Sequence, residues 1–161
     1  MERLDPIDVA ILQHLQEDGR AKRTEIADAV GLSLPAVSER MRKLEERGIV
    51  SGYHAHLDAR RVGIDVAAFV RVAVDGSDHY AGFVDAAVAM PQVQEVHAIT
   101  GEGSHLLKVR VRSTSELERL LDALQRLSGV HATQTSLVLS TPKESPSLSL
   151  EEPAAVATNG H

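Results

Sequence analysis

The stretch HLLKVRVR, residues 105–112, narrows the possible folds of this chain more than any other. Leu107, Val109 and Val111 alternate with Lys108, Arg110 and Arg112, the pattern of a strand with one buried and one wet face. A capping-box pattern, Ser115 with Glu118, follows at once, and Leu117, Leu120, Leu121, Leu124 and Leu127 then recur at helical spacing. The same succession of strand and helix occurs earlier. VAAFVRVAV (66–74) reads as a buried strand, and HYAGFVDAAVAM (79–90) as a helix with Tyr80, Phe83, Val84, Ala87 and Val88 inward. VQEVHAI (93–99) and VHATQTSLVL (130–139) supply two more strands. The order βαββαβ predicts a ferredoxin-like sandwich, with both helices on one face of the sheet. The other face carries Phe69 and further apolar residues beside charges, and is expected to meet a partner.

The N-terminal third reads differently. Asp5 and Pro6 are a helix start, Ile7, Ile11, Leu12 and Leu15 form its stripe, and Gly19 stops it. Thr24 is placed to cap a second helix with Ile26, Ala27 and Val30 inward, ending at Gly31. Ser33 is placed to cap a third, with Pro35 in its first turn and Leu34, Val37, Met41 and Leu44 on one face. Gly48 ends that helix, and IVSGYHAHL follows as an extended segment. Three short helices with a tight VGLS turn are the layout of a helix-turn-helix. The third helix then turns Glu39, Arg42 and Lys43 outward, flanked by Ala36, Ser38, Arg40 and Arg47. Arg and Lys neutralise phosphates and pair with guanine edges, while Ser and Ala are short enough to admit the helix to a major groove. The expected double-stranded DNA contacts are these residues with Thr24, Ser33 and Pro35.

Composition removes other classes. The chain of 161 residues has 43% hydrophobic and 25% charged residues, as in a globular protein of one ordinary or two small domains. It has no cysteine, which excludes disulfides, thiolate nucleophiles and thiolate metal sites. No stretch approaches the roughly 20 apolar residues of a membrane span, and MERLDPIDVA lacks the apolar core of a signal peptide. A cytoplasmic protein without a membrane partner is expected. The net charge of -6 argues against nonspecific coating of nucleic acid but says nothing of a local patch. His54 and His56 form an H-x-H pair that no nearby cluster completes, so exposed histidines and no metal are expected. From Pro142 onward Ser, Pro and Glu predominate, which predicts disorder.

The segment GEGSH, residues 101–105, is open to several readings. A lone GEG followed by a strand lacks the helix N-terminus that a phosphate cradle needs. Ser104 and His105 are neighbours on an extended chain and are expected to point to opposite faces, which is no catalytic pair. No catalytic residue and no cofactor are therefore expected. A strand-connecting turn and a small-molecule sensor both remain.

The segment from Leu4 to Asp58 resembles the winged helix-turn-helix of the Lrp/AsnC (leucine-responsive/asparagine-responsive, feast-famine) regulators. It carries LDPID with IL, the L and DGR, GLS, ER with RKLE and GI, and GY, in that order. The resemblance continues to about residue 140. It implies an α+β chain: a DNA-binding domain at 1–52, a linker strand at 53–65, a ferredoxin-like effector-binding and oligomerisation domain at 66–140 and a tail at 141–161. It further implies a sequence-specific transcriptional regulator that forms homodimers, with tetramers or octamers built from them, and that senses an amino acid or related metabolite. TGEGSHLLK corresponds to the family's glycine-acidic effector loop, typically G-D-x-D-Y-x-L. Gly101 matches the glycine, Glu102 the first acid, Ser104 the second acid and His105 the aromatic, with Gly103 between. Thr133, Gln134, Thr135 and Ser136 correspond to a polar segment expected to complete the pocket. Ser104 and His105 depart from the pattern, removing one partner for an ammonium and making the site smaller. Two other readings remain: an effector-independent architectural protein that wraps DNA, and an amino-acid-binding regulatory subunit or small enzyme without DNA binding.

Overall fold

The computed structural model describes residues 4–150. The chain divides into two compact units: residues up to His56 together with those from Glu144 onward, and Leu57–Lys143.

The first unit is built on three helices, α1 (Pro6–Glu17), α2 (Arg23–Val30) and α3 (Leu34–Glu46). The Asp5 carboxylate accepts from the Asp8 N–H at 2.8 Å and caps α1, with Pro6 in the first turn. Helix α2 starts two residues earlier than its threonine suggested. Lys22 is its N-cap residue, Glu25 reaches back to the Lys22 N–H at 3.3 Å, and Thr24 lies inside the first turn. Gly31 ends α2 in the left-handed conformation, at φ 69°, which allows the abrupt turn into α3. The Ser33 hydroxyl then accepts from the Ala36 N–H at 3.4 Å. Ile11, Leu12, Ile26, Ala27, Val37, Met41 and Leu44 form the buried core. Leu34, expected inward, is 43% exposed, because the first turn of α3 projects beyond the core.

One polar group enters this core. The Asp8 carboxylate is nearly buried and meets the Arg40 guanidinium at 2.7 Å, while the same Nη1 meets Asp5 at 2.6 Å. The Asp8 backbone N–H and then Arg40 hold the Asp5 carboxyl below its usual range.

The segment after α3 contains no strand. Residues 59–63 form turns instead, with the Asp58 carboxylate accepting from the N–H groups of Arg60 and Arg61 at 3.0 and 3.3 Å. Thus the linker expected as a strand over 53–65 is a coiled and turned connection, because its N–H groups find an Asp side chain and local carbonyls rather than a neighbouring strand. The tail also differs from expectation. Residues 144–150 have no regular secondary structure, yet Gln16 hydrogen-bonds Leu148 and Leu150 packs on the first unit's core. Residues 151–161 lie outside the described residues.

The second unit contains β1 (Val66–Val74), α4 (Tyr80–Val88), β2 (Val93–Ala98), β3 (His105–Val111), α5 (Thr114–Gln125) and β4 (Val130–Leu137). The sheet order is β2-β3-β1-β4, all antiparallel. This is the ferredoxin-like arrangement. Ala68, Val70, Val72, Val74, Leu107, Val109 and Val111 face Phe83, Ala87, Leu117, Leu120 and Leu124 of the helices. Val88 is not inward but 66% exposed, as it closes the last turn of α4. The capping box of α5 stands two residues ahead of its expected place: Ser113 accepts from the Glu116 N–H at 3.2 Å, and Glu116 accepts from the Arg112 N–H at 2.8 Å. That N–H is the main reason the Glu116 carboxyl lies below its usual range.

Candidate functional site

Two places carry the expected site residues. On α3, Pro35, Glu39, Arg42, Lys43 and the following Arg47 are exposed, and Ala36 and Ser38 are half-buried at the helix surface. Thr24 and Ser33 are exposed at the starts of α2 and α3. Arg40 does not join them, since it is bound to Asp5 and Asp8. It lines a concavity of about 340 Å³ with Asp8, Ala36, Glu39, Lys43, Leu44 and Arg47.

The exposed charges of α3 are paired along the helix. Arg42 donates from Nε and Nη2 to Glu39 at 2.9 and 2.7 Å, and from Nη1 to Glu46. Lys43 lies 3.6 Å from Glu39. These pairs raise the Arg42 pKa and, through Arg42 first, lower that of Glu39. Exposed pairs at this spacing add little to helix stability, so a phosphate or base can exchange for a carboxylate at small energetic cost. Beyond the helix, Tyr53 donates to Glu45 at 2.9 Å, and partial burial with this carboxylate pushes its hydroxyl up to about 12. Tyr53 therefore fastens the segment after α3 to the side of that helix, a role that sequence spacing does not display.

The second place is the turn between β2 and β3. Gly101 and Gly103 have φ of 97° and 77°. A Cβ on Gly103 would stand 2.9 Å from Arg71 Cγ and 3.1 Å from the Val72 carbonyl, so both conformation and space require glycine there. The Ser104 N–H donates to the Val72 carbonyl at 2.9 Å. Its hydroxyl donates to the same carbonyl at 3.3 Å and accepts from the Val74 N–H at 3.1 Å. The imidazole Nδ1 of His105 lies 2.9 Å from that hydroxyl. With the hydroxyl hydrogen committed to Val72, this contact assigns the proton to Nδ1.

The expected divergence of Ser104 and His105 is thus incorrect. Ser104 precedes β3 and its backbone has not entered the strand alternation, so its hydroxyl turns back over β1 beside the imidazole. His105 itself is 2% exposed, and its ring meets Tyr80 edge-on at 5.0 Å and Phe83 at 4.8 Å. It is a core residue beneath the turn, with its proton affinity lowered by burial. The unfolded chain binds a proton near the ordinary histidine value of 6.5, while the folded chain resists it. Stability attributable to His105 is accordingly full above that pH and is lost as pH falls through the lowered folded value. Thermal unfolding of wild type and His105→Phe between pH 7.5 and 5 should show the smaller acid-side loss in the variant. Parallel curves would remove this account of His105.

Strand alternation also divides the polar segment of β4. Val72 faces His105 and Thr133 across its two neighbours, and Val70 faces Leu107 and Thr135, so both threonines lie on the helix side. Gln134 opposes Arg71 and Ser136 opposes Phe69, on the open side. Gln125 of α5 already donates to the Thr133 hydroxyl at 2.8 Å. The four residues do not line one surface. Arg71 was missed from sequence, although it is a lone charge within an apolar strand; it donates to the Glu102 carbonyl at 3.3 Å and braces the turn. The Glu102 side chain is exposed at the tip. Among the described residues, no group of three or more His, Asp or Glu is placed to hold a metal, and no helix is long and apolar enough to cross a membrane.

Residues 4–51 match the winged helix-turn-helix DNA-binding family, and residues 67–148 match the Lrp/AsnC ligand binding domain. Fold and matches together define a regulator with one unit for DNA and one for a ligand. The HTH-type transcriptional regulator YezC of Bacillus subtilis is 38% identical over 136 residues, covering 84% of this chain and 93% of that protein. The leucine-responsive regulatory protein of Escherichia coli is 37% identical over 145 residues, covering 88% of each. A transcriptional regulator of Neisseria meningitidis, solved as its L-methionine complex, aligns with a TM-score of 0.87 at 35% identity, covering 92% of this chain and 97% of that one. The chain belongs to the Lrp/AsnC family and is a DNA-binding transcriptional regulator.

Proposed function

We propose that this cytoplasmic regulator reads double-stranded operator DNA with α3 as a homo-oligomer, and that an amino acid held at the Gly101–Ser104 turn changes that reading. The observation that carries the ligand half is the turn itself. Ser104 is locked to β1 at one end and Arg71 braces the Glu102 carbonyl, while the Glu102 carboxylate is left at the exposed tip. Glycines leave N–H groups accessible to a carboxylate, and Glu102 offers an acceptor for an ammonium. The L-methionine bound by the Neisseria relative supports an amino acid of that class. Ser33, Pro35, Ala36, Ser38, Glu39, Arg42, Lys43 and Arg47, with Thr24 on the neighbouring helix, form the DNA side of this reading.

The open sheet face supports self-association. Phe69 is 39% exposed there, and the nearby charges of Glu95, Lys108 and His97 satisfy one another at 3.1 and 3.0 Å. A second copy facing this sheet would cover the phenylalanine without stranding those charges, and two α3 helices would then meet one duplex. Ligand at such a boundary acts by linkage, favouring one arrangement of the reading units.

The test is titration calorimetry of the purified protein against L-methionine and the other amino acids, with DNA footprinting in their presence. Binding of at least one amino acid is expected, weakened about 10-fold in Glu102→Gln by loss of a charge-assisted contact. DNA footprints without any amino acid binding would leave an effector-independent architectural protein as the better reading.

A further inference from the structure

The chain passes between its two units twice, once after His56 and again after Lys143. The second passage leads to an attachment. Beyond β4 the chain reaches the last turn of α1, where Gln16 Nε2 donates to the Leu148 carbonyl at 3.1 Å and Gln16 Oε1 accepts from the Leu148 N–H at 2.6 Å. One side-chain amide thus makes both hydrogen bonds that a neighbouring strand would make to that residue. Leu148 turns its side chain to solvent, at 72% exposure, and Leu150, like Leu4, Ile7 and Leu15 of the first unit, packs against the buried cluster that includes Ile11 and Leu12. The contact joins positions 132 residues apart in the chain.

We infer that residues 144–150 are a strap, a segment of this chain docked on its own α1, which adds a second tether between the ligand-binding unit and the DNA-reading unit. The inference rests on the reading that α3 contacts DNA within a homo-oligomer. A unit held by one linker samples many orientations, and a second attachment restricts them and raises the effective concentration of the second reading unit once the first has bound. Residues 138–143 join β4 to the strap, so the chain itself connects that strand to α1. The strap's effect falls on how strictly two half-sites must be spaced and leaves the contacts within each half-site alone.

Two measurements test this. The chain has no cysteine, so full-length Gln16→Cys/Leu148→Cys carries only the two introduced thiols. Treatment with a short bis-maleimide should give a product of monomer mass on a denaturing gel; a covalent dimer would mean that the tail comes from a second copy and overturns docking on its own α1. DNA selected by the full-length protein is then offered as one half-site and as two half-sites at graded spacings. Gln16→Ala and a chain ended after Lys143 should keep the single-half-site Kd. Their affinity at the best spacing should fall about 5- to 10-fold, with a broader optimum, as expected when effective concentration drops. Unchanged spacing profiles overturn the strap. So does loss of single-half-site binding in Gln16→Ala, because the contact would then belong to the fold of the reading unit. Failure of the α3 reading is separately visible, since wild type itself would then not bind the half-site through Arg42 and Lys43.

Discussion

Replacing Arg42 and Lys43 together with Ala is expected to weaken operator binding by about 100-fold or more, with unfolding unchanged within about 0.5 kcal/mol. Both side chains are exposed on α3, and their partners in the free protein are Glu39 and Glu46 of the same helix. These pairs are solvent-exposed and contribute little to stability, so removing the cations leaves the fold intact. On DNA the same groups meet phosphates or guanine edges, where each well-made bidentate contact discriminates by about 1–3 kcal/mol. Fluorescence anisotropy between 50 and 200 mM salt separates the two uses. If both groups contact phosphates, the slope of log K against log salt should shrink by about 1.8, roughly 0.9 for each contact. A variant with wild-type affinity and slope would show that α3 is not the reading element.

Arg40→Ala should behave in the opposite way, lowering stability by about 2–3 kcal/mol and leaving the salt slope of DNA binding unchanged. The reason is Asp8. Its carboxylate is 13% exposed and has the Arg40 guanidinium 2.7 Å away, so truncating Arg40 leaves an acid in a nearly dry place without its cation. Asp5, held by the same nitrogen, is the α1 cap and keeps its bond to the Asp8 N–H. Urea unfolding of Arg40→Ala, Asp8→Ala and the double variant completes the comparison: Arg40→Ala should be much less damaging when Asp8 is already absent. A reduced salt slope with normal stability would instead return Arg40 to the DNA surface, where the sequence reading put it.

The two substitutions show what a one-dimensional reading sees. Ser33, Val37, Met41 and Leu44 fix the cap and inner stripe of α3, so Arg42 and Lys43 follow on its outer side by helical period alone. Arg40 lies beside that stripe, and its direction depends on two acids more than 30 positions earlier. In the second unit, the alternation of HLLKVRV located β3 correctly from His105 onward. The following STSELE offers two overlapping capping frames, and only the end of the strand selects Ser113 with Glu116.

The GEGSH turn follows the same division. Its position between two strands and its need for glycine were readable from sequence. The commitment of Ser104 to β1, the burial of His105 under Tyr80 and Phe83, and the division of Thr133–Ser136 between two faces were not. By itself, the sequence determined the five α-helices, the four strands of the sheet, their order and the family, though not the absence of a strand in the linker, because periodicity, caps and spaced motifs are local. The tertiary structure alone decided which charges are structural, which polar groups are already satisfied and where the tail docks. Those outcomes depend on contacts between distant segments, whose geometry exists only once the cores of both units are packed.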